Sequence, residues 1–224
     1  PNCNWSPAEW NKPIAATELR EAAKQVGLDG SEVLTGKAFT DDAIMARTNL
    51  NDFRILHFAT HGLVTAPRAQ CPARPALLTS FGNSATSDGL LQFSEIFDLK
   101  LDADLVILSA CDTAGKASRE ATQSAGLTGG GGALDGLVRA FIGAGGRSVI
   151  ASHWPAPEEF KATERLISGL FSAPRGMGVA DALRTAEIAL MDEADTSHPF
   201  YWSGFAIIGD GARPLVAPAT VAQR

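Results

Sequence analysis

The residues best placed for chemistry are a histidine and a cysteine, each where an apolar run stops. Residues 53–59 (Phe-Arg-Ile-Leu-His-Phe-Ala) lead into Thr60-His61-Gly62, and residues 105–110 (Leu-Val-Ile-Leu-Ser-Ala) lead into Cys111-Asp112-Thr113. In a sheet covered on both faces, reactive groups collect outside the carboxyl ends of the strands. If these two runs are neighbouring strands, about 4.8 Å apart, imidazole and thiol share one crevice. The thiolate is the attacking form of cysteine, and an adjacent imidazole helps to remove its proton. The same imidazole can then protonate a leaving amine. Gly62 has no side chain, so its backbone N–H can approach a substrate oxyanion, with the Cys111 N–H as the second donor.

Taken singly, both residues have plainer readings. A histidine near a strand end commonly serves as a structural hydrogen-bonder, and a cysteine after an apolar run is commonly a small core residue. Their matched positions, each followed by turn-compatible residues, favour the catalytic reading. Of the other histidines, His57 lies inside its strand and is expected in the core. His153 ends a strand and could line the crevice, and His198 precedes a proline in a loop. No cluster has zinc-ligand spacing, so no metal is expected. The glycines at 129–132 lack the Gly-Lys-Ser/Thr ending of a phosphate loop, and those at 143, 145 and 146 fail the dinucleotide fingerprint. A nucleotide-binding reading therefore has no motif behind it.

The elements that would hold these residues alternate. Residues 15–26 have helical apolar spacing and stop at Gly27, a helix C-cap. Residues 32–35 read as a short strand. Thr40 reads as an N-cap, with Asp41 and Asp42 in the first turn. Residues 76–79 read as a strand, Ser94 as the cap of a short helix through Phe97, and 126–132 as a glycine-rich loop. A helix over 134–142, a strand over 148–151, helices over 158–171 and 179–191 and a strand over 205–208 follow. This alternation predicts an α/β sandwich with a largely parallel sheet. Residues 1–213 are expected to form one domain, and 214–224 a loose tail.

Bulk properties narrow the classes. A 224-residue chain that is 45% hydrophobic and 20% charged can bury a full core. A net charge of −6 without basic runs argues against direct nucleic-acid binding, and no apolar run is long enough for a membrane helix. The chain does not begin with Met, which suggests a mature product or part of a longer polypeptide. Cys3, Cys71 and Cys111 are too few for a disulfide scaffold. Free thiols imply a cytoplasmic setting; a Cys3–Cys71 disulfide would imply an oxidising one such as the periplasm.

The fifty-residue separation of His61 and Cys111 matches the caspase spacing, but Ser-Ala-Cys-Asp-Thr replaces the local caspase motif. The array as a whole resembles the CHAT domain family. The matching stretches are 55–62 (Ile-Leu-His-Phe-Ala-Thr-His-Gly), 88–91 with Ser94-Glu95-Ile96, 103–115, 137–141, 145–155 and 198–202 (His-Pro-Phe-Tyr-Trp). The resemblance implies a three-layer α/β/α caspase-like (caspase–hemoglobinase) fold related to caspases, separases and gingipains. It implies cofactor-free cysteine endopeptidase chemistry on protein or peptide substrates, with the dyad on His61 and Cys111. It also implies a bacterial protein in which the domain is joined to TPR or other repeats in a longer chain. Two departures stand out: Gly115-Lys116 where the family has Gly-Gly, and a long glycine-rich stretch at 116–133, which would fit a latent domain. Residues 65–75 look like a family-variable insertion. Relatives that cut after basic residues carry an acid two positions before the cysteine, where Ser109 stands here. With Ser152, His153 and Trp154 lining the pocket, an apolar or small P1 residue is expected, and Asp112 is the residue that could still offer charge. The rival reading is a caspase-like interaction module without catalysis.

Overall fold

Residues 13–30, 32–63, 75–82, 87–111, 132–154 and 156–216 are described by a computed structural model, with backbone alone at 110, 111 and 132–135. Their apolar runs become β1 (Ile55–Leu63), β2 (Ala76–Leu78), β3 (Leu90–Gln92), β4 (Leu105–Cys111), β5 (Ser148–Ser152) and β6 (Phe205–Gly209). The sheet order is β3-β2-β1-β4-β5-β6. Strands β1, β4 and β5 run parallel. The flanking strands are antiparallel: β2 on β1, β3 on β2 and β6 on β5. The expected parallel arrangement is therefore confined to the three central strands, which are flanked by the reversed strands β2 and β6.

The helices are α1 (Thr17–Gln25), α2 (Asp41–Met45), α3 (Phe93–Asp98), α4 (Gly132–Gly143), α5 (Ala162–Phe171) and α6 (Val179–Met191). Alternation along β4 assigns them to two layers. Val106 and Leu108 join Phe58, Val149 and Ala151 against Ile96 of α3 and Leu137 and Phe141 of α4. Leu105 and Ile107 join Ile150 against Ala22 of α1, Leu166 and Leu170 of α5, and Val179 and Leu183 of α6. Fully buried side chains of this size stabilise by roughly 1.5–3 kcal/mol each, so both faces of β4 hold the sheet in place. The result is a three-layer α/β/α sandwich.

Local signals act as the sequence suggests at several points. Thr40 Oγ1 accepts the Ala43 N–H at 3.1 Å and caps α2. Gly27, at φ +86°, lets the chain leave α1. Other expectations need correction. Residues 32–35 form no strand. Gln92, not Ser94, caps α3: its own N–H donates to Glu95 Oε2 at 2.7 Å, in a capping box. The helix read over 158–171 is a 3₁₀ turn (Glu159–Lys161) followed by α5, because Phe160 (φ 54°) and Lys161 (φ 53°) are left-handed. The chain is also still bound past residue 213. Pro214 bridges to Gly178, and Val216 O accepts the Gly176 N–H at 3.0 Å.

A charge cluster fastens the entrance of the central strands. Asp104 is buried and meets Arg54, Arg213 Nη1 at 2.9 Å and Arg147 Nη1 at 3.5 Å. These arginines lie just before β1, just after β6 and just before β5. Backbone bonds strengthen the join, since the N–H groups of Asp104 and Leu105 both donate to Arg54 O, at 2.8 and 3.1 Å. Each guanidinium is partly exposed and individually worth little, but the carboxylate is shared by all three. Asp104→Ala should cost about 2 kcal/mol in urea unfolding, more than any single arginine replacement. A loss no larger than that of Arg213→Ala would remove the clamp from the account.

One helix carries a pH liability. Burial pushes the Glu187 carboxyl on α6 up to about 7, from the 4.5 of an unburied group. Between those values the unfolded chain ionises while the folded one stays protonated. Stability contributed at this site is therefore intact at pH 4 and falls as pH rises, the loss being complete above about 7. Glu187→Gln should melt at a higher temperature than the parent at pH 8 and at the same temperature at pH 4. An equal gap at both pH values would contradict this.

Candidate functional site

The ladder between β1 and β4 runs from Ile55↔Leu105 to His61↔Cys111. The histidine and the cysteine are therefore register partners at the last rung, on strands about 4.8 Å apart. Beyond that rung β1 leaves β4 and pairs with β2 through Gly62↔Leu77 and Leu63↔Ala76. The β2–β3 hairpin thus holds the segment just after the histidine, and Thr60 Oγ1 donates to Leu78 O at 2.6 Å on the same side. His61 is partly exposed, whereas Gly62 is buried. Cys111 closes β4. Asp112 and most of the glycine-rich loop at 126–132 lie outside the described residues, as do Cys3 and Cys71.

Ser109 is buried at 4% exposure, so it does not present an open surface. Its Oγ lies 3.0 Å from Nε2 of His57. The same nitrogen lies 3.0 Å from Oε1 of Glu18, on α1. His57 is in the core, as its place inside β1 implies, with its ring stacked 6.4 Å from Phe171. The core position is not apolar, however. It joins a buried acid, an imidazole and a hydroxyl, in which Glu18 Oε1 and His57 Nδ1 make no well-aligned hydrogen bond. Sequence spacing gave no sign of Glu18, which reaches this point only because α1 packs across the sheet.

On the far side of β4, Ser152 ends β5 and is buried. His153 is exposed, and its N–H donates to Gly204 O at 2.7 Å. Trp154 is half-buried; its Nε1–H donates to Phe200 O at 3.1 Å, and its ring stacks on Phe200 at 6.4 Å and 10°. Phe200 belongs to a 3₁₀ turn (Pro199–Tyr201) that His198 caps, Nδ1 accepting the Phe200 N–H at 3.2 Å. His198, expected in a loop before a proline, thus sets a turn with proline at its first position. Tyr201 stands edge-on to Phe200 at 5.4 Å and to Phe160 at 5.6 Å. The turn's Phe200 and Tyr201 belong to a stretch that marks the family, yet nothing in their spacing identifies them as site residues. Among the described residues no acidic, histidine or cysteine group is arranged to hold a metal ion, and no helix is long and apolar enough to cross a membrane.

The indole of Trp154 lies close against a glycine. A Cβ at Gly204 would fall 2.9 Å from both Cε2 and Nε1 of that ring. Gly204→Ala should therefore displace the indole, shift its N–H resonance and cost about 1 kcal/mol. An unmoved resonance, assigned through Trp154→Phe, would show that the ring is not held by this contact.

Comparison with known proteins agrees with the architecture. The family model described as the CHAT domain matches residues 2–210. Among curated proteins, Tetratricopeptide repeat protein 28 of Homo sapiens is 28% identical over 243 residues, and the protein of the same name from Mus musculus is 27% identical over the same length. Each alignment covers 95% of this chain and 9% of the relative, so the chain spans under a tenth of the length of these repeat proteins. With a family match over nearly the whole chain and a three-layer sheet that puts His61 beside Cys111, the chain belongs to the CHAT domain family, a caspase-like family.

Proposed function

We propose that this domain is a cysteine endopeptidase that works through His61 and Cys111. The observation behind this reading is the His61↔Cys111 rung, which sets an imidazole-bearing and a thiol-bearing residue side by side at the carboxyl edge of the sheet. His61 takes the proton from the Cys111 thiol, and the thiolate sulfur attacks the scissile carbonyl carbon. The oxyanion that forms is met by the backbone N–H groups of Gly62 and Cys111. His61 then gives its proton to the amine nitrogen as the C–N bond breaks, leaving a thioester on Cys111. Water, deprotonated by His61, attacks the thioester carbonyl and frees the thiol. No cofactor enters this sequence. Repeats in a longer chain, as in the relatives, would supply substrate capture or control.

The test is cleavage of a proteome-derived peptide library by the chain and by Cys111→Ala and His61→Ala, read by mass spectrometry. Cuts made by the parent should fall at least about 1,000-fold in either variant, with melting temperatures preserved. Equal cutting by Cys111→Ala would overturn the assignment. Absence of cutting by the parent, even with the attached repeats restored, would favour a binding module that has kept the dyad.

A further inference from the structure

Four aromatic side chains gather at the surface beside the proposed dyad. Phe160 is 53% exposed and Phe200 39%, while Trp154 and Tyr201 are partly so. Apolar rings of this size usually enter the core, and a clustered exposed group marks a contact surface. Their placement follows from register. Leu108 pairs with Ala151, so Ser152 falls beside Ser109 and residue 154 comes level with Cys111. The backbone keeps that course past the end of β5, because His153 still bonds Gly204, next to the Ser152↔Phe205 pair. Trp154 therefore follows the strand next to the one that ends in Cys111, on the same carboxyl edge of the sheet, and Phe200, Tyr201 and Phe160 follow it ring by ring.

The group is held rigidly. Trp154 is pinned by its bond to Phe200 O and by the close contact with Gly204. Phe200 is stacked on it, and Tyr201 is wedged edge-on between Phe200 and Phe160. Phe160 projects from two successive left-handed residues, a conformation that costs about 1–2 kcal/mol per residue for non-glycines. Backbone strain of this kind persists at binding sites where it fixes a side chain's direction. Preorganised aromatic faces gain contact area without losing much side-chain freedom on binding.

We propose that Trp154, Phe160, Phe200 and Tyr201 form the specificity platform of this domain and take a large apolar or aromatic side chain of the peptide, close to the scissile bond. This rests on the peptidase reading and names its substrate class. The chemistry favours an apolar guest over a basic one. Ser109, two residues before Cys111, is neutral, buried and occupied with His57, so it offers no charge to a basic side chain. The Trp154 and Phe200 rings, nearly parallel at 10°, offer a flat face for a ring or a branched aliphatic group.

Cleavage profiling of the 224-residue chain against a peptide library tests this directly. Phe, Tyr, Trp, Leu or Met should dominate one position within three residues of the cut. Phe200→Ala and Phe160→Ala should each lower kcat/KM for such peptides by about 10-fold while changing it less than twofold for peptides with alanine there. Phe200→Leu should fall between, and melting temperatures confirm folding. A preference for Arg or Lys, or a profile unmoved by the variants, overturns the platform. If the parent cuts nothing, binding of the same peptides to Cys111→Ala by calorimetry separates the two ideas. Aromatic peptides that bind, and are lost with Phe200→Ala, keep the platform while the peptidase reading fails. Equal binding of aromatic and alanine peptides sinks the platform too.

Discussion

The seven-rung parallel ladder between β1 and β4 is the constraint on which the site depends. Side chains on a strand alternate between faces, so a slip of one residue would turn every β1 residue to the other side. It would bring Phe58 out of the layer with Phe141 and put His61 out of step with Cys111. Two things forbid the slip. The core is packed on both faces of β4, through Val106 and Leu108 on one and Leu105 and Ile107 on the other. The entrance is tied by Arg54, whose carbonyl takes two N–H groups from Asp104 and Leu105 and whose guanidinium meets the Asp104 carboxylate. The proposed chemistry at one end of the strands is thus aligned by an electrostatic knot at the other, seven residues away along each strand.

The same alternation explains the polar cluster beneath the dyad. His57 and His61 are four residues apart on β1, as Ser109 and Cys111 are two apart on β4, so all four positions share one parity. A polar column on an otherwise apolar face is costly unless its members satisfy one another. His57 does so in part, with Ser109 and Glu18 both at 3.0 Å from Nε2. The Glu18 contact is not an aligned hydrogen bond, however, and His57 Nδ1 has no aligned partner either. An ordinary core would have filled these places with leucine and gained stability. Their retention ties α1 to the two strands by polar contacts that have a direction, which apolar packing lacks.

Much of this architecture was legible in the residues. An unbroken apolar run marked β4 because that strand is covered on both faces, shorter apolar stretches marked β1 and β5, and Thr40 and Gly27 marked helix ends because their local chemistry acts alone. Helix α6 was found to the residue because its apolar stripe is regular from Val179 to Met191. The failures have a common cause, which is that distant contacts decided the outcome. The antiparallel β2–β3 hairpin needs the end of β1 as its template. Phe160 and Lys161 break the helical pattern through backbone angles that no propensity predicts. That His61 and Cys111 end neighbouring strands was legible, since strand ends are visible in sequence. Glu18 and the aromatic group were not, because they are assembled from α1, the 3₁₀ turns and the β5 exit.

In the proposed peptidase these two kinds of residue would divide the labour of the site. His61 and Cys111 sit on adjacent strands whose spacing is fixed by backbone hydrogen bonds, which suits a proton transfer that tolerates little error. The aromatic side chains stand on turns and loop ends, where replacement disturbs no ladder. Specificity on such a frame can change through the 159–161 and 199–201 turns while the His61↔Cys111 rung, proposed to carry the chemistry, stays where it is. The strain at Phe160 and Lys161 belongs to that outer part, and α5 begins immediately after it with its own core contacts through Leu166 and Leu170. The body of the domain is therefore insulated from the turn, and a strained, exposed phenylalanine can be kept for what it touches.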